Sequence, residues 1–136
     1  FYFIEASIKM GVSYQIQGRI NEGFYDTSVE QTLNREFCYW KEIRHRIFDI
    51  IKGKRLPLSC KIVLGLSKQS ISYLIAHNNS SFREEDIEGI YINILYDPKN
   101  LLITTGISYK NFSLDKSLEY AFDEYLAKFL KEKAVI

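Results

Sequence analysis

The chain is poor in the residues that usually announce a chemistry. Among 136 residues there are two cysteines, two histidines, two prolines, one methionine and one tryptophan. Cys38 and Cys60 lie far apart and match no metal-ligand spacing. They imply no disulfide framework, which fits a reducing cytosol. His45 is flanked by Arg44 and Arg46, and His77 has no Cys or second His beside it in sequence, so both read as surface residues. No apolar run approaches the ~20 residues needed to span a membrane. There is no excess of one charge: 18 basic and 17 acidic side chains leave a formal net charge of +1. That excludes binding of nucleic acid by the charge of the whole domain and leaves only a local patch.

Motifs are missing as well. The chain holds no Gly-x-x-x-x-Gly-Lys, Gly-x-Gly-x-x-Gly, Gly-x-Ser-x-Gly or His-Glu-x-x-His string. The acidic run Glu84-Glu85-Asp86 neither alternates ligands nor carries the central glycine of a calcium loop. The Asn-x-Ser strings at Asn78, Asn79 and Asn111 mean little without a secretion signal. No catalytic residue, metal ligand or cofactor is assigned, and the absence of a catalytic motif leans against an enzyme.

What is present is pattern. Ten tyrosines and nine phenylalanines supply bulk for a core, and the length is that of one domain, 1–136. Such a chain can bury roughly two thirds of its unfolded surface without a metal or disulfide. The strongest signal is a hairpin: apolar runs 90–96 and 101–107 flank Asp97-Pro98-Lys99-Asn100. Asp97 and Pro98 suit the first two positions of a type I turn. This register pairs Tyr96 with Leu101, Ile94 with Ile103 and Ile90 with Ile107 on an apolar face. Leu95 pairs with Leu102, Asn93 with Thr104 and Tyr91 with Gly106 on the other.

Residues 2–8 and 12–20 alternate with period two, the strand signature. Matching their apolar faces sets Ile8 opposite Val12 across Lys9-Met10-Gly11, with the even positions buried and the odd ones wet. Residues 21–37 read as a long connection with Phe24 and Tyr25 as anchors. Trp40, Ile43, Ile47, Ile50 and Ile51 recur at helical spacing, and Gly53 stops that helix. A strand follows at 58–66, with Leu58, Cys60, Ile62, Leu64 and Leu66 on one face. Ser67 caps a short helix carrying Ile71, Leu74 and Ile75. Last comes a helix started by Ser113 or Asp115, with a stripe from Leu118 through Phe122 and Leu126 to Leu130.

The order is β-β-α-β-α-β-β-α. Hairpins at both ends imply an α+β fold with a mostly antiparallel sheet of five strands, helices packed on one face, and a long C-terminal amphipathic helix.

Three binding readings follow. The first is a non-enzymatic protein-interaction or scaffold module that uses an open sheet face or edge. Its candidates are Tyr91, Asn93, Leu95, Leu102 and Thr104, with Arg19 as a further polar contact. The second is a small-ligand pocket between the sheet and the last helix, with Tyr14, Arg19, Tyr120 and Tyr125 as polar contacts. The third is an RNA or DNA contact through the basic run Arg44, Arg46, Lys52, Lys54 and Arg55. The expected partner is therefore a protein, or a second copy of the chain, ahead of nucleic acid. No membrane is expected.

Several strings resemble a family: Glu5-Ala6-Ser7-Ile8, Tyr14-Gln15-Ile16-Gln17-Gly18-Arg19-Ile20, Phe24-Tyr25-Asp26, Tyr39-Trp40, Ile51-Lys52-Gly53-Lys54, Thr104-Thr105-Gly106 and the stretch 112–119. They are similar to an uncharacterised bacterial domain family of unknown function, found chiefly in clostridia and their relatives. The resemblance runs over nearly the whole chain and departs at Gln17, where an aspartate is expected. It implies a cytoplasmic bacterial protein and assigns no activity. With the abrupt start at Phe1, it also implies that natural sequence precedes the chain.

Overall fold

A computed structural model of the chain describes residues 1–24, 35–77, 82–111 and 115–132. The strands are β1 (Tyr2–Lys9), β2 (Ser13–Gln17), β3 (Ser59–Gly65), β4 (Ile87–Tyr96) and β5 (Leu101–Tyr109). The α-helices among the described residues are α1 (Trp40–Ile51), α2 (Lys68–His77) and α3 (Ser117–Glu132). The strands form one open antiparallel sheet in the order β2-β1-β3-β4-β5. The fold is α+β with the element order read from the sequence.

The described residues group into two compact units. The first holds 1–65 and 93–104; the second holds 66–92 and 105–136. In the first, β3 pairs with β1, with Lys9 opposite Ser59 and Ser7 opposite Lys61. Cys60, Ile62, Val63 and Leu64 are buried, so β3 is covered on both faces from Ile62 onward, while Lys61 leaves one face open near the start of the strand. The expected apolar face of β3 holds except at Leu58, which is 70% exposed. It precedes the strand, and its N–H donates to the Lys9 carbonyl.

Several expectations for the first strands are corrected, among them the buried even face, since Val12 is 64% and Tyr14 39% exposed. Ile8 stands opposite Tyr14, not Val12, and the loop is Met10-Gly11-Val12. Sliding the register by two keeps every side chain on its face, so matching of faces cannot choose between the two registers. Phe3, placed by parity on the wet face, is fully buried. The ladder to β3 shifts between Phe3 and Glu5, and an inserted residue breaks strict alternation. The second strand is also shorter than expected, because the chain at Gly18 leaves β2.

From Gly18 the chain pairs with residues 36–38 instead. Gly18 N–H donates to Ile4 C=O, Cys38 N–H to Gly18 C=O, and Phe3 N–H to Cys38 C=O. A side chain at position 18 would strike the Phe3 carbonyl oxygen and come within 2.7 Å of the Phe3 ring. Only glycine admits so close a backbone approach. The strip is fastened by aromatic contacts. Tyr2 stacks on Tyr39 at 5.3 Å, and Trp40 lies 6.1 Å from Phe3 and 5.8 Å edge-on to Phe48. Helix α1 then buries Ile47 completely. Tyr25 lies outside the described residues, and Phe24 is 83% exposed.

In the second unit, the Ser67 hydroxyl accepts the Ser70 N–H and caps α2, as expected. The Asp115 carboxylate accepts the Ser117 N–H at the start of α3; Ser113 lies outside the described residues. Leu118, Phe122 and Leu126 are buried along the stripe, as are Leu74 of α2 and Ile87, Ile90 and Ile92 of β4. Thr105 donates a 2.6 Å bond to Asp123 and ties β5 to α3. Glu119 lies in the first turn of α3 and Lys131 in its last, the arrangement that the helix dipole favours.

Candidate functional site

The turn between β4 and β5 is built by its own residues. Asp97 and Asn100 exchange both backbone hydrogen bonds, at 2.9 and 3.2 Å, which leaves Pro98-Lys99 as the loop and sets Tyr96 opposite Leu101. The Asp97 carboxylate accepts the Lys99 and Asn100 N–H groups at 2.8 and 2.9 Å and rigidifies the turn. The expected register therefore holds at this end. Leu95 and Leu102 occupy one face of the hairpin and Tyr96 and Leu101 the other.

Beside this tip lies a groove of about 720 Å³, all of it within the first unit. Strand β1 contributes Ser7 and Lys9, and β3 contributes Ser59, Cys60 and Lys61. The hairpin contributes Leu95, Leu101 and Leu102 together with Tyr96, Asp97 and Asn100. Leu95 is 38% exposed, Leu101 60% and Leu102 53%. Val12 and Leu58, which adjoin Ser13 and Ser59 in sequence, are also exposed. The same end of the strands thus gathers most of the large aliphatic side chains that the described surface leaves in water. Around a cavity, such a gathering marks a binding surface more often than scattered leucines do.

The structure sorts the expected candidates. Leu95 and Leu102 share the groove, and Asn93 and Thr104 lie in the same unit, half-buried and exposed respectively. Tyr91 belongs to the second unit, and its ring covers Gly89 of its own strand. It does not cover Gly106, as the pairing suggested, because nothing lies within 4 Å of a methyl built there. Arg19 is elsewhere: it pairs with Glu36, stacks 5.2 Å over the Phe37 ring, and borders a separate cavity of about 150 Å³ with Cys38 and Phe24. The groove takes no residue from α3, and of the tyrosines proposed for a ligand pocket Tyr14 is 39% and Tyr120 68% exposed.

The basic run is exposed on and beyond α1. Arg44 and Arg46 are two residues apart on a helix, hence about 200° apart around it, and Lys52 pairs with Asp49 at 3.0 Å. His77 stacks on Tyr73 at 3.9 Å with Nδ1 2.9 Å from the Tyr73 carbonyl. Among the described residues no three His, Cys, Asp or Glu side chains converge as metal ligands. Burial raises both thiols above the usual range, with Glu42 adding to the effect at Cys38, so neither is set up as a nucleophile.

Sequence reasoning missed Lys9, Lys61, Ser7 and Ser59. The signal existed in Lys61, a charged residue inside an otherwise apolar central strand. Its relation to Leu95 and Leu102 depended on the strand order.

The model of a family of unknown function, DUF5721, matches residues 1–136. The chain belongs to that family. Family membership brings no activity with it, and no curated protein or solved structure was found to match the chain. None of the described helices is long and apolar enough to cross a membrane.

Proposed function

We propose that the domain is a non-enzymatic interaction module that receives a protein partner at the hairpin end of its sheet. The observation that carries this reading is the groove of about 720 Å³ whose hairpin wall, Leu95 and Leu102, remains exposed. Leucines at a cavity wall contribute little to folding while they stay wet, and gain roughly 25 cal/mol for each Å² of apolar area that a partner removes from water. The setting proposed is the bacterial cytoplasm. The resemblance to a clostridial family supports it, and so do the two cysteines, which are free.

The test is affinity capture from lysate of the source organism, using wild type, Leu102→Glu and a distant control, Lys128→Glu. A protein retained by wild type and control but lost with Leu102→Glu supports the reading. Equal capture by all three rejects it. If the species retained is the chain itself, sedimentation will show a dimer that Leu102→Glu dissociates.

A second reading has one observation behind it. The volume lies within the roughly 300–1,000 Å³ of small-molecule sites, so a small ligand could occupy the same groove. The basic run on α1 keeps its reading as a nucleic-acid contact only if binding weakens steeply with salt.

A further inference from the structure

The geometry points to the chemistry of the partner: an extended, acidic peptide segment that carries carboxylates at alternate positions beside aliphatic or aromatic side chains. This rests on the reading of the groove as a docking site for protein.

Two lysines set the charge of the groove. Lys9 pairs across the ladder with Ser59, and Ser7 with Lys61. The four residues therefore form a square on one face of the sheet, with the lysines on its diagonal, about 7–8 Å apart at the backbone. Both lysines are exposed. Among the described residues neither makes an ion pair. Two carboxylates lie nearby. Asp97 is engaged by the backbone of its own turn, and Glu5 shares with Lys61 the lining of an adjacent cavity of about 140 Å³ without reaching ion-pair distance. The square thus holds two like charges at close quarters and two hydroxyls that can donate hydrogen bonds.

Strand β4 lies next to β3, and it brings Leu95 to the same groove, with Leu102 beside it on β5. An occupant must therefore present negative charge to one half of the groove and apolar surface to the other. An extended chain does this without strain, because its side chains at i and i+2 fall on one face about 7 Å apart, the spacing of the lysine diagonal. A basic or uncharged segment would take water from the two ammonium groups without supplying a counter-charge. That cost is what selects against it.

The experiment is selection from a random peptide display library on the purified full chain. The same selection is run on Lys9→Glu/Lys61→Glu, on Lys9→Gln/Lys61→Gln and on Leu102→Glu. Thermal unfolding confirms that each variant is folded, and the Gln pair serves if the Glu pair is not. The expected result is enrichment of peptides with Asp or Glu two residues apart next to aliphatic or aromatic residues. Their affinity should fall by about tenfold or more on charge reversal, fall less in the Gln pair, and be lost in Leu102→Glu. Enriched peptides that are neutral or basic, or that bind the charge-reversed chain as tightly, overturn the inference. If those peptides still depend on Leu102, the docking reading stands without it. Recovery of no peptide, or of peptides indifferent to Leu102→Glu, overturns both.

Discussion

Three residues show how single side chains are held and what their loss will do. Gly18 sits where any Cβ would meet the Phe3 carbonyl, so Gly18→Ala must push β1 away from the strip at 36–38. A cost of about 2–3 kcal/mol is expected, read as a lowered denaturation midpoint. Tyr109 is the opposite case. Its ring lies 5.1 Å from that of Phe82, and its hydroxyl is buried without a hydrogen-bond partner among the described residues. Burial, with Glu119 and Asp115 nearby, raises its pKa. Tyr109→Phe removes the unsatisfied group and should stabilise the protein by about 1 kcal/mol, measured by denaturant titration. Glu42 takes a 2.5 Å bond from Arg35 and accepts the Tyr39 N–H at the start of α1. Arg35 holds the Glu42 carboxyl below its ordinary 4.5. A depressed carboxylate contributes stability above the unfolded value and loses it as the pH falls through the folded one. The pair is partly exposed, so the contribution is about 0.5–1 kcal/mol. Wild type should exceed Glu42→Gln in stability by that amount at neutral pH, and the gap should close in acid. The contacts of Gly18 and Tyr109 were not legible in the sequence, because each joins residues that only the folded chain brings together, whereas the Tyr39–Glu42 bond is local to the start of α1.

At the scale of elements, legibility depended on whether the local signal named a unique answer. The β4–β5 turn was readable because Asp97 and Pro98 are matched to specific turn positions, and the residues themselves set the register. The β1–β2 register was not, since a slide of two residues leaves every face unchanged and only the loop decides. The burial of Phe3 escaped because a bulge is an irregularity of pairing, not of composition. Helix α3 was readable from its stripe, and its fully buried members carry it. Phe122→Ala should cost about 3–5 kcal/mol, seen as loss of the cooperative transition or a large fall in its midpoint. The expected anchors Phe24 and Tyr25 gave no such certainty, since a polar stretch without a period names no partner.

At the scale of the whole molecule, the leucines of the groove stand apart from the buried core. Leu102 is about half exposed, so Leu102→Glu should change stability by no more than about 0.5 kcal/mol. It should nevertheless abolish partner capture, and a variant that unfolded instead would show that the leucine belongs to the core. The balanced net charge of +1 gives the domain no overall field of one sign, so the charge beside the groove is the local charge of Lys9 and Lys61. By itself the sequence determined the α+β class, the order of elements, the hairpin turn and the apolar stripe of α3, because periodicity and turn chemistry are local properties of the chain. Only the tertiary structure decided which residues meet at the site. Strand order brings Lys9 and Lys61, fifty-two residues apart in the chain, onto one square beside Leu95 and Leu102, and no local pattern records which strands will be neighbours.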